Sequence, residues 1–188
     1  MKLISKNMKN YCSFLLLFLT VGLFAQAEKP THIYLVRHAE KITSDKKDNN
    51  PLLTEDGNQR AIALAEKLQN TPLNAIYSTN YKRTESTAKP ASENQKKKIK
   101  VYDAKKLNDA AAMILKENKG KCTLVIGHSN TILETIEAFG AKRPIPTIED
   151  QEYDYLFLVT IRTNGKIKVK VMHYGKANSH KEGAQMMP

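Results

Sequence analysis

Histidine and arginine side chains follow three separate apolar runs of this sequence. The pair Arg37-His38, then Arg83, then His128 each lie within a few residues of the end of such a run. Histidine is the side chain that changes charge near neutral pH, and it can act as a nucleophile, a base or a hydrogen-bond donor. Arginine carries a permanently charged fork that matches the oxygens of carboxylates and phosphates. These residue types are suited to binding and attacking an anionic group.

The apolar runs are predicted to be strands that alternate with helices. The strands are predicted at 33–36, 75–78, 99–102 and 122–126, the helices within 52–70, 83–93, 107–117 and 131–139, and a final hairpin at 155–162 and 166–174 around Asn164-Gly165. Thr54 is the expected N-cap of the first helix, and Pro90 is expected to kink or end the second. This alternation predicts a three-layer α/β/α sandwich with a mostly parallel central sheet and a C-terminal antiparallel hairpin.

In open α/β sheets, ligands bind at the carboxyl ends of the strands. A single histidine after a strand is most often a surface or capping residue, and a single arginine most often forms a surface ion pair of little energetic value. Their coincidence at three strand ends favours a common site. A metal site made of His38, His128 and Glu40 is chemically possible, but it leaves both arginines unexplained and puts a cation beside cations.

The same segments resemble the histidine phosphatase superfamily, also called the phosphoglycerate mutase-like family. The sequence LVRHAE at 35–40 resembles its arginine–histidine signature, and LTEDGNQRA at 53–61 resembles the segment that follows. The segment 76–88, with IYST and then RT, resembles its second arginine motif, and VIGH at 125–128 its second histidine motif. The motifs occur in the family's order, and the resemblance covers roughly residues 32–174.

The resemblance implies a phosphatase that hydrolyses a phosphomonoester or a phosphoramidate through a phosphohistidine. His38 would be the nucleophile, while Arg37, Arg83 and His128 would hold the phosphoryl oxygens. Phosphoryl transfer otherwise requires mainly positioning and charge neutralisation. No cofactor and no metal are expected.

The general acid that protonates the leaving group is not assigned to one residue by this comparison. The acid-phosphatase branch has an aspartate directly after the second histidine, where this chain has Ser129. The mutase-like branch has a glutamate in a stretch that resembles residues 107–109, so Asp109 is the first candidate, followed by Asp103 and Glu40. The competing interpretation of Asp109 is an exposed carboxylate on a helix.

Residues 1–27 have the pattern of a secretory signal peptide. Lys2, Lys6 and Lys9 precede an apolar stretch of about 13 residues, whereas a membrane span needs about 20, and Ala25-Gln26-Ala27 fits a cleavage site. The sequence therefore predicts a periplasmic or secreted protein that is cleaved after Ala27 and is not stably inserted in the membrane thereafter.

After cleavage, a phosphatase domain is predicted at residues 28–175, followed by a disordered tail at 176–188. Cys122 is then the one cysteine left, and it is expected to be a buried strand residue. The composition, with 41% hydrophobic and 26% charged residues, is that of a globular protein.

The net charge of +11, which becomes +8 without the three lysines of the leader, favours an anionic partner. A small phosphorylated molecule is the expected partner. Nucleic acid is not expected, because few aromatic residues accompany the lysines of 96–106. A phosphomutase and a non-catalytic module that binds anions are the alternatives. The segment 141–155, rich in acids and proline, is expected to border the pocket.

Overall fold

The computed structural model describes residues 28–178, which form six strands and four helices. In chain order they are β1 Thr31–Arg37, α1 Glu55–Lys67, β2 Leu73–Ser78, α2 Lys82–Gln95, β3 Ile99–Val101, α3 Leu107–Asn118, β4 Cys122–Gly127, α4 Ile132–Ala138, β5 Tyr155–Ile161 and β6 Ile167–His173. The predicted signal peptide, 1–27, lies outside the described residues, as do residues 179–188 of the predicted tail.

The six strands form one sheet in the order β3-β2-β4-β1-β5-β6. The pairs β2–β3, β2–β4 and β4–β1 are parallel, whereas β1–β5 and β5–β6 are antiparallel. Because β2, β4 and β1 are parallel neighbours, their carboxyl ends lie side by side at one edge of the sheet. This is the edge at which the histidines and arginines leave the strands.

Helices cover both faces of the sheet. Alternate residues of β1 point to opposite sides, as they do in any strand: Leu35 lies in the apolar cluster that contains Ile114 of α3 and Ile136 of α4, whereas Val36 lies in the cluster that contains Leu64 of α1. The predicted fold class, a mixed α/β fold with a mostly parallel central sheet and a C-terminal hairpin, is confirmed.

Local signals in the sequence account for most element boundaries. Thr54 caps α1 as predicted, with its hydroxyl oxygen accepting a hydrogen bond from the Gly57 N–H at 3.1 Å. Helix α2 does not end at Pro90 and continues to Gln95. Proline removes one hydrogen bond of the helix, but Ala88 and Ala91 on either side are buried against the sheet and hold the helix in place.

Two further features of the described residues concern Cys122 and membrane association. Cys122 is half-buried rather than buried, and it is unpaired. None of the helices within residues 28–178 has the length and apolar character needed to cross a membrane.

Candidate active site

A cavity of about 570 Å³ lies where β1, β2 and β4 end, and its walls include Arg37, His38, Arg83 and His128. The structure therefore brings together the four residues that the sequence singles out most strongly. The other lining residues are mostly polar or charged: Lys41, Thr43, Tyr81, Ala104, Lys105, Ser129, Asn130, Thr131, Asp150 and Tyr153. A volume of this size accommodates a whole small molecule, not only a phosphate group.

His38 lies at the bottom of the cavity in a fixed orientation. Its backbone N–H donates to the Gly127 carbonyl at the end of the β1–β4 pair at 2.9 Å, and the residue is 4% exposed. The ring Nδ1 lies 2.8 Å from the carbonyl oxygen of Ala39. Because a carbonyl oxygen can only accept, Nδ1 carries the hydrogen, and the lone pair is on Nε2.

Burial and neighbouring positive charges keep His38 neutral. They lower the pKa of its imidazole to about 3, with burial as the main cause and Arg37, His128 and Arg83 adding to the effect. At neutral pH the Nε2 lone pair is therefore available for attack on an electrophile.

His128 faces His38 across the cavity. The two ring centroids are 5.4 Å apart and the rings are inclined at 67°. His128 Nε2 is 2.9 Å from the hydroxyl oxygen of Thr79, which follows β2. Burial lowers the pKa of His128 to about 4, with smaller contributions from Arg83, Arg37 and Lys41. The site thus contains two neutral imidazoles, each fixed by one hydrogen bond.

The two arginines flank the histidines, and each packs on a tyrosine. The guanidinium carbon of Arg37 lies 4.1 Å from the ring centre of Tyr153, and that of Arg83 lies 4.3 Å from the ring centre of Tyr81. The Nε atoms of both arginines are buried and have no hydrogen-bond partner within the described part of the chain. Unsatisfied buried donors of this kind are rare, and anionic oxygens are their natural acceptors.

Comparisons with known proteins agree with this geometry. The family model of the histidine phosphatase superfamily (branch 1) matches residues 33–109, which include His38 and Arg83. This match supports the assignment to the histidine phosphatase superfamily that the motifs indicate. A comparison with curated proteins finds no match.

Several solved structures share the fold of this chain. YhfR of Bacillus stearothermophilus superposes with a TM-score of 0.64 at 17% identity, covering 75% of this chain and 96% of YhfR. The protein histidine phosphatase SixA, complexed with tungstate, gives 0.60 at 17% identity, covering 76% and 96%. A phosphoserine phosphatase mutant from Entamoeba histolytica, in complex with phosphoserine, gives 0.56 at 15% identity, covering 77% and 96%. At these identities the structures show a shared fold, and the family model supports a phosphatase.

The carboxylates considered as general acid do not line the cavity that contains His38. Asp109 and Asp103 border a different cavity, beside the exposed Val101. The Glu40 carboxylate points to α1, where the Arg60 Nε lies 2.8 and 2.9 Å from its two oxygens. None of these carboxylates is therefore placed to contact a group bound at His38. The structure does not support Asp109 as the general acid.

Two tyrosines of the site were not singled out by the sequence. Tyr81 makes an edge contact with His128, with ring centres 5.2 Å apart, and Tyr153 lies 6.3 Å from His38. The position of Tyr81, between the end of β2 and Arg83, is the signal that could have identified it. Tyr153 belongs to the segment 141–155, which borders the cavity as expected through Asp150 and Tyr153.

The described part of the chain does not contain the arrangement of side chains that the metal-site alternative requires. No group of three or more histidine, cysteine or acidic side chains with metal-binding geometry occurs among residues 28–178. Glu40, which that alternative needs, is ion-paired with Arg60, with Nη2 2.8 Å from Oε1.

Proposed function

We propose that this protein hydrolyses a small phosphomonoester or phosphoramidate through a phosphohistidine on Nε2 of His38. The observation that supports it most is the state of His38: a buried neutral imidazole, its Nδ1–H held by the Ala39 carbonyl, in a cavity with two arginines. A nucleophile needs an available lone pair, and the transferred group carries negative charge that arginines stabilise.

The proposed reaction has two displacements at phosphorus. In the first, the Nε2 lone pair forms the N–P bond while the bond from phosphorus to the leaving oxygen or nitrogen breaks, and the leaving atom takes a proton from solvent water. In the second, a water oxygen attacks phosphorus and loses a proton, the N–P bond breaks, and its electron pair returns to Nε2. The net change is the consumption of one water and the release of inorganic phosphate. Arg37, Arg83 and His128 hold the phosphoryl oxygens in both steps.

The cavity lacks a buried acid in the part of the chain described, and this bears on the substrate. Among residues 28–178, the one carboxylate side chain in its wall is that of Asp150, which is fully exposed and lies 3.9 Å from Nη2 of Arg37. We therefore propose that the enzyme acts best on substrates whose leaving group needs little assistance from a proton donor, such as aryl phosphates and phosphoramidates. A steep fall in kcat with increasing leaving-group pKa across a series of aryl and alkyl phosphates is the expected result.

Trapping of the intermediate tests this mechanism. Purified protein is mixed briefly with a phosphomonoester carrying radiolabelled phosphorus and quenched in denaturant at alkaline pH, where a phosphohistidine survives. We expect protein-bound label that is lost in acid. His38→Ala should remove both label and turnover, whereas His128→Ala should lower turnover and still label.

The control is His32→Ala, because His32 lies in β1 at the opposite end from His38 and bonds to Thr160. It should label and turn over like the wild type. Active wild-type protein that never labels, or a label that maps to His128 or Ser129, would contradict the role of His38. Binding of phosphate without any turnover would favour the non-catalytic alternative.

We also propose that residues 1–27 direct export to the periplasm or the exterior and are removed after Ala27. The charged start, the short apolar stretch and Ala25-Gln26-Ala27 support this proposal. N-terminal sequencing of the protein from its native host should begin at Glu28, and an intact Met1 in a membrane fraction would contradict it.

A further inference from the structure

A turn far along the chain holds one end of the Arg37 guanidinium. Nη1 of Arg37 donates to three backbone carbonyls, those of Glu149 at 2.8 Å, Asp150 at 3.0 Å and Glu152 at 3.2 Å. Three acceptors occupy both hydrogens of this nitrogen. The hydrogen bonds that remain to be made are therefore on the edge formed by Nε and Nη2.

The side chain of Glu152 closes this turn. One of its carboxylate oxygens accepts from the backbone N–H of Glu149 at 2.8 Å, and its own backbone N–H donates to the Glu149 carbonyl at 3.0 Å. Glu152 is 6% exposed, which is rare for a carboxylate without a structural or functional role. The carboxylate thus fixes the two ends of the turn that carries all three carbonyls.

The residues next to the turn tie it to the core and to the cavity. Ile145 and Ile148 precede it and are buried in the apolar cluster under α3 and α4. Tyr153 follows it and packs its ring on the guanidinium of Arg37. The turn and the ring therefore hold Arg37 from two directions, and both belong to one short segment.

We propose that Glu152 is a positioning residue for phosphoryl transfer, which acts by bracing the 149–152 turn so that the Nε–Nη2 edge of Arg37 is directed at the phosphoryl group. This inference rests on the proposed function, because it assigns Arg37 to the phosphoryl oxygens. A bidentate contact depends on the orientation of the guanidinium plane. Small displacements in an active site lower rates by as much as about 10²-fold.

The test compares Glu152→Ala with Glu149→Ala. Both variants remove one negative charge from the same turn, but Glu149 takes part through its backbone N–H and carbonyl, which alanine keeps. We expect Glu152→Ala to lower kcat/KM for an aryl phosphate about 10- to 100-fold and to weaken inhibition by inorganic phosphate by a similar factor. Glu149→Ala should stay within about threefold of the wild type, since it keeps the hydrogen bonds of the turn.

A double-mutant cycle separates positioning from general destabilisation. If Glu152 acts through Arg37, Glu152→Ala should add almost nothing to the loss of phosphate affinity caused by Arg37→Ala, whereas independent effects would add. Glu152→Asp gives a second variant if the alanine variant does not fold, because it keeps the charge and is one methylene too short for the turn. It should weaken phosphate inhibition while the protein stays folded, as checked by thermal unfolding.

Phosphate affinity of folded Glu152→Asp equal to that of the wild type, or fully additive losses in the cycle, would overturn the inference. Failure of the proposed function looks different. In that case the wild-type protein shows no turnover, or Arg37→Ala hydrolyses the substrate as fast as the wild type. A third result would refute only the role of Glu152. In that case the wild type is active and Arg37→Ala lowers activity, but Glu152→Ala and Glu149→Ala have equal effects.

Discussion

At the scale of single residues, the arginines differ in what else they bind. Arg37 is buried and holds the 149–152 turn, whereas Arg83 is half-buried and has one long bond at 3.5 Å from Nη1 to the Asn49 carbonyl. Replacing Arg83 therefore removes few bonds within the protein. It is the cleaner probe of what a guanidinium contributes to binding the phosphoryl group.

We predict that Arg83→Ala lowers kcat/KM on the order of 10²-fold, the usual effect of removing one donor to the transferred group. Arg83→Lys should recover only part of the loss, because an ammonium lacks the planar fork. Both effects are measured by steady-state kinetics and by inhibition with inorganic phosphate. Lys82→Ala is the matched control, since Lys82 is an exposed cation beside Arg83 that does not line the cavity. Wild-type kinetics in Arg83→Ala would show that Arg83 does not contact the phosphoryl group.

At the scale of elements, the first turn of α1 supports the loop that follows His38. The Thr54 N–H donates to the Glu40 carbonyl at 2.9 Å, and Arg60 pairs with the Glu40 carboxylate. Gly57 faces the same carbonyl, and a Cβ atom built there would lie 2.2 Å from the Glu40 oxygen. Contact this close leaves no room for any side chain, so the helix packs here because residue 57 is glycine.

We predict that Gly57→Ala destabilises the protein by about 1–3 kcal/mol, the usual range for overpacking, although alanine favours a helix by about 1 kcal/mol over glycine. The clash involves backbone, which cannot move aside as a side chain can, so the loop with His38 must shift and activity must fall. Urea unfolding and kcat/KM measure the two effects. Asn58→Ala, at the exposed neighbouring position, should change neither. A Gly57→Ala protein of wild-type stability and activity would contradict this account of the contact.

The elements also show what could be predicted from the sequence. Strands β1, β2 and β4 have apolar runs and the motifs sit at their ends, so local pattern and the rule for ligand sites in parallel sheets were enough to place His38 and His128 together. The hold on Arg37 could not be found this way. It depends on backbone carbonyls that lie 112 to 115 positions away, in a segment without periodicity. Every residue type has a backbone carbonyl, so the sequence cannot show which carbonyls accept these hydrogen bonds. Asp109 was favoured through a resemblance of sequence, but helix α3 carries it to another cavity.

At the scale of the whole molecule, the charge distribution favours an anionic ligand. The same positive charges disfavour protonation of the two histidines in the cavity. Lys41 and Lys105 line the cavity together with Arg37 and Arg83, and the protein as a whole carries a net charge of +11. Such a field attracts anions from solution. The same charges, added to burial, make it unfavourable to protonate His38 or His128 in the folded protein.

Folding stability should therefore depend on pH through these two histidines. The pKa of His38 is lowered from 6.5 to about 3 and that of His128 to about 4, so between these values and 6.5 the unfolded chain binds more protons than the folded one. Stability that depends on the neutral forms is fully present above pH 6.5 and is lost as the pH falls towards 3. The slope is up to about 1.4 kcal/mol per pH unit for each histidine.

We predict that His38→Asn, which cannot be protonated, loses less stability than the wild type when the pH falls from 6.5 to 5. The difference between the two losses should be about 1–2 kcal/mol, measured by urea unfolding at both pH values. Comparing losses, not absolute stabilities, cancels the carboxylates that titrate in both proteins. Asn58→Ala, at an exposed position outside the cavity, is the control and should lose as much as the wild type. Equal losses in wild type and His38→Asn would mean that His38 can be protonated in the folded protein, and the neutral nucleophile would have to be abandoned.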